Sequence, residues 1–464
     1  MYIQQLYTNC LSEAAYYIES EKEAVVIDPL RDVEVYIHLA EERGATIRYI
    51  LETHFHADFV SGHLDLSKKT GAPIVFGPQT ETAFPIYRAT DTESFKVGRV
   101  SLEALHTPGH TLESTCYLLR DEEGNPYALF TGDTLFVGDV GRPDLSSGNL
   151  SKEELAGMLY DSLSQKIMTL PDSVLIYPAH GPGSACGKSL GPNTHSTLGE
   201  EKKTNYALQP QERTAFIAAV TDGLTPPPQY FPINARINKE GYESLDKVMQ
   251  DSLKPLTLEE FKQVGAVILD TRKAPDFTEG FIPTSVNIGL DGRFAEWAGN
   301  LLDFTGPIVL VTEPGKEEES VLRLARVGFE NVRGYLSGGF ETWKAAGEPI
   351  DLIINVSAEE LALDLPFDEK LIVIDVRKEM EFGAGHVKGA QNLPLENLKD
   401  PGSMAYLEDQ DNLYVHCAGG YRSVIAASLL KREGIHNLRN VSGGWTAIKE
   451  VASIPLEKES AVLN

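Results

Sequence analysis

Thr53-His54-Phe55-His56-Ala57-Asp58 is the stretch that decides how the first half of the chain is read. It follows Arg48–Leu51, which has the pattern of a short strand. In extended chain the side chains at i and i+2 point the same way, so His54 and His56 converge on one point. Gly62-His63 comes soon after. Downstream, Thr107-Pro108-Gly109-His110, Thr131-Gly132-Asp133 and Pro178-Ala179-His180-Gly181 each follow a predicted strand: Val100–Leu105, Ala128–Phe130 and Val174–Ile176. Loops at strand ends are where a rigid scaffold presents functional groups. His and Asp are common in turns, but four such turns, all after strands, point to one functional cluster.

Working outward, Ala24–Ile27 and Pro73–Val75 are further strand candidates, and Val33–Arg43 and Lys152–Ser162 are the clearest helices. Residues up to about 245 therefore read as α/β with much sheet. Arg236–Leu256 is polar and reads as irregular after Pro226-Pro227-Pro228, which places a boundary near residue 250.

The remainder carries an internal repeat. Asp270-Thr271-Arg272-Lys273 returns as Asp375-Val376-Arg377-Lys378, and Ser337-Gly338-Gly339 as Ser442-Gly443-Gly444, both at an offset of 105 residues. Phe277/Phe382, Gly280/Gly385 and Asn287/Asn392 hold the same register, which means duplication. In each unit short apolar runs read as buried parallel strands: Ala266–Asp270 and Ile308–Thr312, then Leu371–Asp375 and Leu413–His416. The predicted helices Glu318–Val327 and Arg422–Glu433 follow, stopped by Gly328 and Gly434. Strand-helix alternation implies a doubly wound parallel sheet, with ligands at the carboxyl ends of strands.

Composition excludes other classes. With 41 Lys+Arg against 68 Asp+Glu, the net charge of −27 argues against nucleic acid and against an anionic membrane surface. Apolar runs such as Leu371–Val376 are far shorter than the ~20 residues of a spanning helix. Met1-Tyr2-Ile3-Gln4-Gln5 lacks the character of a signal peptide, and four cysteines are too few for a disulfide scaffold, so a reducing cytoplasm is expected. Cys10, Cys116 and Cys186 read as small buried side chains, Cys186 being the one of the three that could react. Gly181–Ser189 imitates a phosphate-binding loop, but Pro182 stands where its first glycine is needed.

The H-x-H-x-D run, T-P-G-H, T-G-D and P-A-H-G, in that order, resemble the metallo-β-lactamase superfamily, whose fold is an αβ/βα sandwich. The resemblance covers about the first 245 residues. The superfamily commonly binds two metals, yet Phe59 stands where its D-H motif has a second-metal histidine. A narrower resemblance, through Ala57–His63, Gly138-Asp139-Val140-Gly141-Arg142-Pro143-Asp144 and Glu200–Asn205, is to persulfide dioxygenases. It implies one Fe(II) per chain on His54, His110 and Asp133, a set that leaves positions open for O2 and a sulfur donor. His56, Asp58 and His180 then orient ligands and hold water. Arg142 becomes a candidate to bind an oxyanion of the persulfide carrier.

Cys417-Ala418-Gly419-Gly420-Tyr421-Arg422-Ser423 follows a strand and opens a helix. A thiol there faces the positive end of a helix and a ring of N–H groups, with Arg422 adding fixed charge, which favours thiolate. With Asp375-Val376-Arg377, Glu381-Phe382, Gly385–Ala390 and Ser442-Gly443-Gly444-Trp445, the loop resembles rhodanese (sulfurtransferase) domains. That resemblance implies that Cys417 takes up sulfane sulfur as a persulfide and passes it on. In the first repeat Cys417 corresponds to Thr312 and His386 to Phe281, and Glu313–Glu319 brings four carboxylates that would repel a thiolate. It reads as an inactive rhodanese-like domain.

The expected fold class is therefore α/β: a metallo-β-lactamase αβ/βα sandwich over residues 1–250, then two doubly wound parallel-sheet domains. These are an inactive rhodanese-like domain at 251–353 and a rhodanese domain at 354–464. The expected function is oxidation of a low-molecular-weight thiol persulfide with O2 at a mononuclear iron, giving sulfite and thiol. Cys417 then moves sulfane sulfur to or from sulfite or thiosulfate. Two alternatives stand beside it: a glyoxalase II-type thioester hydrolase with a dinuclear zinc site, and a sulfur-sensing or scaffold protein. The expected partners are the small-molecule thiol persulfide, O2 and sulfite or thiosulfate, with no nucleic acid and no membrane; a homodimer is in keeping with this branch.

Overall fold

A computed structural model describes residues 1–145, 150–407 and 411–458. Two compact units result: Met1–Val248 with Ala325–Gly328, and Met249–Leu324 with Phe329–Asn464, of which 459–464 lie outside the described residues. No helix among the described residues is long and apolar enough to cross a membrane.

The first unit contains two six-stranded sheets. One runs Tyr2–Thr8, Glu13–Ser20, Glu23–Ile27, Thr46–Leu51, Ile74–Phe76, Tyr87–Arg88; the other runs Ser196–Thr197, Leu175–Pro178, Pro126–Gly132, Thr115–Arg120, Val100–His106, Ser94–Val97. Period-two alternation sorts their side chains into layers. Tyr16, Ile18, Val25 and Ile27 from one sheet meet Leu102, Tyr117, Leu119 and Phe130 from the other in a shared core. Tyr17, Ala24 and Val26 turn outward onto Tyr36, Ala40 and Leu66 of flanking helices. Cys116, Leu118 and Leu129 turn the other way onto Ala156, Leu159 and Phe216. Helix, sheet, sheet, helix is the αβ/βα sandwich. Both sheets are covered on both faces, so Glu13–Ser20 is buried throughout and shows no amphipathic signature in sequence.

One expectation fails. Arg236–Leu256 is not irregular but falls largely in the helices Phe231–Glu240 and Leu245–Ser252. The first buries Asn234 and Asn238, four residues apart, so its inner face carries amides and leaves no apolar period to read.

The second unit contains two five-stranded parallel sheets with the same strand order. The first is Pro255–Leu256, Val332–Leu336, Ile308–Val311, Val267–Asp270, Val286–Asn287; the second is Ile354–Val356, Leu438–Val441, Asn412–His416, Leu371–Asp375, Gln391–Asn392. The repeated residues turn out to be frame parts. Buried Asp270 takes Arg272 Nη2 at 2.7 Å, as Asp375 takes Arg377 Nη2 at 2.5 Å. Each arginine also reaches a carbonyl, Gly280 O at 3.0 Å and Gly385 O at 2.7 Å. Their guanidinium groups stack over Phe340 and Trp445 at 4.2 and 4.6 Å. Asn287 and Asn392 each bridge two carbonyls of the preceding strand end.

Candidate functional site

His54 and His56 follow the strand Thr46–Leu51, His110 follows Val100–His106, Asp133 follows Pro126–Gly132 and His180 follows Leu175–Pro178. All four loops bring their side chains to one buried place. His54, His110 and Asp133 form one group whose donor atoms lie within 4.8 Å of each other. Asp133 Oδ2 is 3.8 Å from His54 Nε2 and 3.4 Å from His110 Nε2, while Oδ1 is 3.5 Å from His180 Nε2. Neither Asp133 oxygen accepts a hydrogen bond among the described residues, though both are buried. An unmatched buried carboxylate is costly. A cation between Asp133 and the imidazoles removes that cost, and the two-His, one-carboxylate donor set suits a divalent transition metal.

The far ring nitrogens are fixed. His110 Nδ1 meets Arg142 O at 2.9 Å, His180 Nδ1 meets Ser12 O at 3.1 Å, and His54 Nδ1 meets Thr53 Oγ1 at 3.0 Å. Such contacts set ring orientation and direct Nε2 inward. Burial, then the nearby His56, His110 and His180, holds the His54 imidazole well below its usual value, which keeps its ligating lone pair free. Gly141 lets the chain pass close: a Cβ there would collide with the Asp133 carbonyl and fall 2.9 Å from His110 Nδ1.

A second group, His56, Asp58 and His180, adjoins the first. Asp58 Oδ2 is 3.5 Å from His180 Nε2. His56 Nε2, however, lies 3.2 Å from Asp28 Oδ1 and 3.6 Å from Glu52 Oε2. Burial alone would lower the His56 imidazole, but Asp28, Glu52 and Asp58 outweigh it and raise it to about 9. The Phe59 ring is buried and packs on His56, with centroids 4.3 Å apart.

Sequence reasoning missed the groups that hold this loop. Asp28, in the left-handed region at φ 49°, accepts from Thr53 N at 2.7 Å and Thr53 Oγ1 at 2.8 Å. Glu52 accepts from Ser61 Oγ at 2.5 Å and lies 3.3 Å from His63 Nδ1. Asn238 binds the loop three times: Nδ2 donates to His56 O and Phe59 O, both at 2.8 Å, and Oδ1 accepts from Ser61 N at 2.9 Å. Each is a single polar residue in an ordinary segment; the pairing of Asn234 with Asn238 on one helix face was the available signal.

Arg142 does not present its fork to a ligand. It is buried, its Nε and Nη2 are taken by Asp144 at 3.0 and 2.7 Å, and Nη2 also donates to Thr225 O at 2.5 Å. Its contribution to the site is the carbonyl on His110. All four cysteines are free. Cys116 is buried, and burial pushes its thiol up to about 11. Cys186 is also buried and groups with Asp133 and His180; burial, then Asp58 and Asp133, pushes its thiol up.

Cys417 follows the strand Asn412–His416 and precedes the helix Tyr421–Arg432. Gly420, at φ 113°, donates its N–H to Sγ at 3.1 Å, and Ser423 Oγ lies 3.6 Å away. The repeated Ser-Gly-Gly supports the loop from behind: Trp445 N donates to Cys417 O at 2.7 Å, and a Cβ on Gly444 would collide with that carbonyl. Arg422 is on the same loop but is held bidentate by Glu381 at 2.7 and 2.8 Å. In the first repeat Thr312 occupies the cysteine position and is buried.

Residues 8–180 match the Metallo-beta-lactamase superfamily, and residues 255–346 and 357–451 each match the Rhodanese-like domain. Persulfide dioxygenase ETHE1 of Bos taurus is 36% identical over 189 residues, 40% of this chain and 67% of that protein. Probable hydroxyacylglutathione hydrolase glo2 of Schizosaccharomyces pombe is 30% identical over 217 residues, 41% of this chain and 80% of that protein. The crystal structure of a metallo-beta-lactamase from Staphylococcus aureus aligns at a TM-score of 0.65 with 34% identity, covering 73% of this chain and 98% of the other. The chain spans about half the length of other curated relatives, the Beta-lactamase hydrolase-like proteins of Xylella fastidiosa.

Proposed function

The chain belongs to the metallo-beta-lactamase superfamily and carries two rhodanese-like domains after its metal domain, and on that premise we propose that it is a persulfide dioxygenase with sulfurtransferase activity. Residues 1–250, 251–353 and 354–464 are the dioxygenase, silent rhodanese-like and sulfurtransferase domains of this reading. His54, His110 and Asp133 hold one Fe(II). Iron bound there supplies the redox chemistry that joins O2 to sulfur. One thiol persulfide, one O2 and one water give thiol, sulfite and two protons. His56, Asp58 and His180 orient that centre, and burial of all these side chains keeps bulk water out.

At the second site the Cys417 thiolate attacks the outer sulfur of thiosulfate. An S–S bond forms as the old one breaks, sulfite leaves with the electron pair, and Cys417 becomes a persulfide. The N–H of Gly420 faces the developing charge. Run in reverse, sulfite from the first site accepts sulfur at the second, which gives the fusion a rationale. Placement in the cytoplasm follows from the sequence argument alone.

The observation that carries the reading is Asp133: a buried carboxylate with both oxygens unbonded, faced by His54 and His110. O2 uptake by the iron-loaded chain across a panel of thiol persulfides tests it. Two zinc per chain with no uptake would refute it. One observation favours a second reading, thioester hydrolysis: His56, Asp58 and His180 form an adjoining donor group that shares Asp133 through His180. Phe59, which cannot ligate, weighs against that dinuclear site.

A further inference from the structure

Cys417 stands at the end of a directed chain of hydrogen bonds that begins in the other repeat. The Thr278 hydroxyl donates to Pro275 O at 2.8 Å, so toward Asn355 it can only accept, from Nδ2 at 2.8 Å. That turns Asn355 Oδ1 toward its cross-strand partner Asn440, whose Nδ2 donates to it at 2.8 Å. Asn440 Oδ1 is left as an acceptor and takes the Ser423 hydroxyl at 2.7 Å. Thr278, Asn440 and Ser423 are buried, and Asn355 is exposed.

A hydroxyl has one hydrogen. With it given to Asn440, or to the alternative acceptor Gly420 O at 3.1 Å, Ser423 shows Sγ only lone pairs. A thiol can donate into those lone pairs; a thiolate or persulfide anion cannot. We propose that Asn440 is a positioning residue of the sulfur-transfer site, holding the Ser423 hydroxyl turned away from Cys417 Sγ, and that Thr278 of the silent repeat sets the direction of that hold. The inference rests on the reading of Cys417 as the nucleophile. It gives the resting thiol a hydrogen-bond acceptor between transfers, and it requires Ser423 to leave Asn440 when the sulfur is anionic. Silence in the first repeat is therefore chemical only.

The charged groups around the sulfur are Arg422 paired with Glu381, with Glu296, Lys378 and Glu396 about that pair. His416 lies behind, 3.7 Å from Asp375. None of them changes in the following test. The rate of iodoacetamide alkylation of Cys417 is followed in the full chain by peptide mass spectrometry, across pH. Asn440→Leu leaves the Ser423 hydroxyl only the longer contact to Gly420 O at 3.1 Å in competition with the thiolate, and a hydrogen bond to an ionised group is worth about tenfold or more. Alkylation near neutral pH should therefore rise, by up to about tenfold, its pH midpoint moving down. Thr278→Val should move it the same way by less, and the Asn440→Leu effect should vanish in a Ser423→Ala background. Unchanged or slower alkylation in both single variants, or acceleration that persists without Ser423, overturns the proposal. Should Asn440→Leu not fold, Thr278→Val decides alone. Failure of the parent chain to take a sulfur atom from thiosulfate onto Cys417 would instead sink the sulfurtransferase reading, with alkylation still reporting on Asn440.

Discussion

Asn238→Ala tests whether one amide holds the metal loop. The side chain is buried and makes three hydrogen bonds to the backbone between His56 and Ser61. Alanine strips the partners from two carbonyls and one N–H without opening a path for water. A buried polar group left unpaired costs about 1–3 kcal/mol. Taking the lower end for each of the three, since the loop can partly relax, gives a loss of about 3 kcal/mol. For a domain of this size about 1 kcal/mol corresponds to roughly 2–4 °C, so the transition of the metal domain should fall by roughly 6–12 °C. The same loop carries Asp58 and begins two residues after His54, so metal affinity should drop roughly tenfold or more, as for other groups that orient ligands. Thermal unfolding followed by circular dichroism, with metal titration of the folded variant, reads both. Asn238→Asp keeps the acceptor for Ser61 N but sets a buried carboxylate oxygen against the His56 and Phe59 carbonyls, and should fall at least as far as alanine. A fall of under about 2 °C with unchanged metal affinity would refute the reasoning.

Three further outcomes are expected. Cys417→Ser should abolish sulfite release from thiosulfate and leave persulfide-dependent O2 uptake intact; loss of both would show that the two sites are not independent. Phe59→His puts an imidazole where the ring now packs on His56, and metal analysis should then show occupancy rising from one toward two per chain. For Glu381, burial pushes the carboxyl up, but the Arg422 hydrogen bond and charge outweigh it and hold it below its usual value of 4.5. A carboxyl lowered by folding stabilises above its unfolded value and loses that contribution as pH falls through the folded one. The acid limb of unfolding below pH 4.5 should therefore be shallower in Glu381→Gln than in the parent.

The sequence was legible where chemistry and backbone geometry coincide. His54, His56, Asp58, His110, Asp133 and His180 sit in short turns after strands, and those turns gather at one buried place. The 105-residue register was legible because Asp270/Asp375 and Arg272/Arg377 are buried ion pairs that each sheet needs in one place. What escaped was polar support from a distance. Asn238 reaches the metal loop across 182 residues of chain, and Asp28 acts from the end of a strand read only for its apolar part. Arg142, read as a candidate to bind an oxyanion, is buried with its Nε and Nη2 on Asp144. Of the helices after Tyr230, Phe231–Glu240 was missed because Asn234 and Asn238 join Phe231 on its inner face, whereas Leu245–Ser252, with Val248 buried, did carry an apolar face that the polar composition around it hid.

The twin Asp–Arg pairs have an evolutionary consequence. The repeated polar frame of each parallel sheet lies at the strand ends and under the tryptophan or phenylalanine that caps the arginine, outside the segment that carries the cysteine. After duplication the two frames could each survive selection for folding while only one reactive segment was under selection for chemistry. Drift could then convert Thr312–Glu319 into an acidic helix start without cost to the sheet beneath it. The reactive loop is in this sense a removable insert in a standing socket. A gene bearing two sockets and one insert can lose or regain an activity by changing a handful of codons.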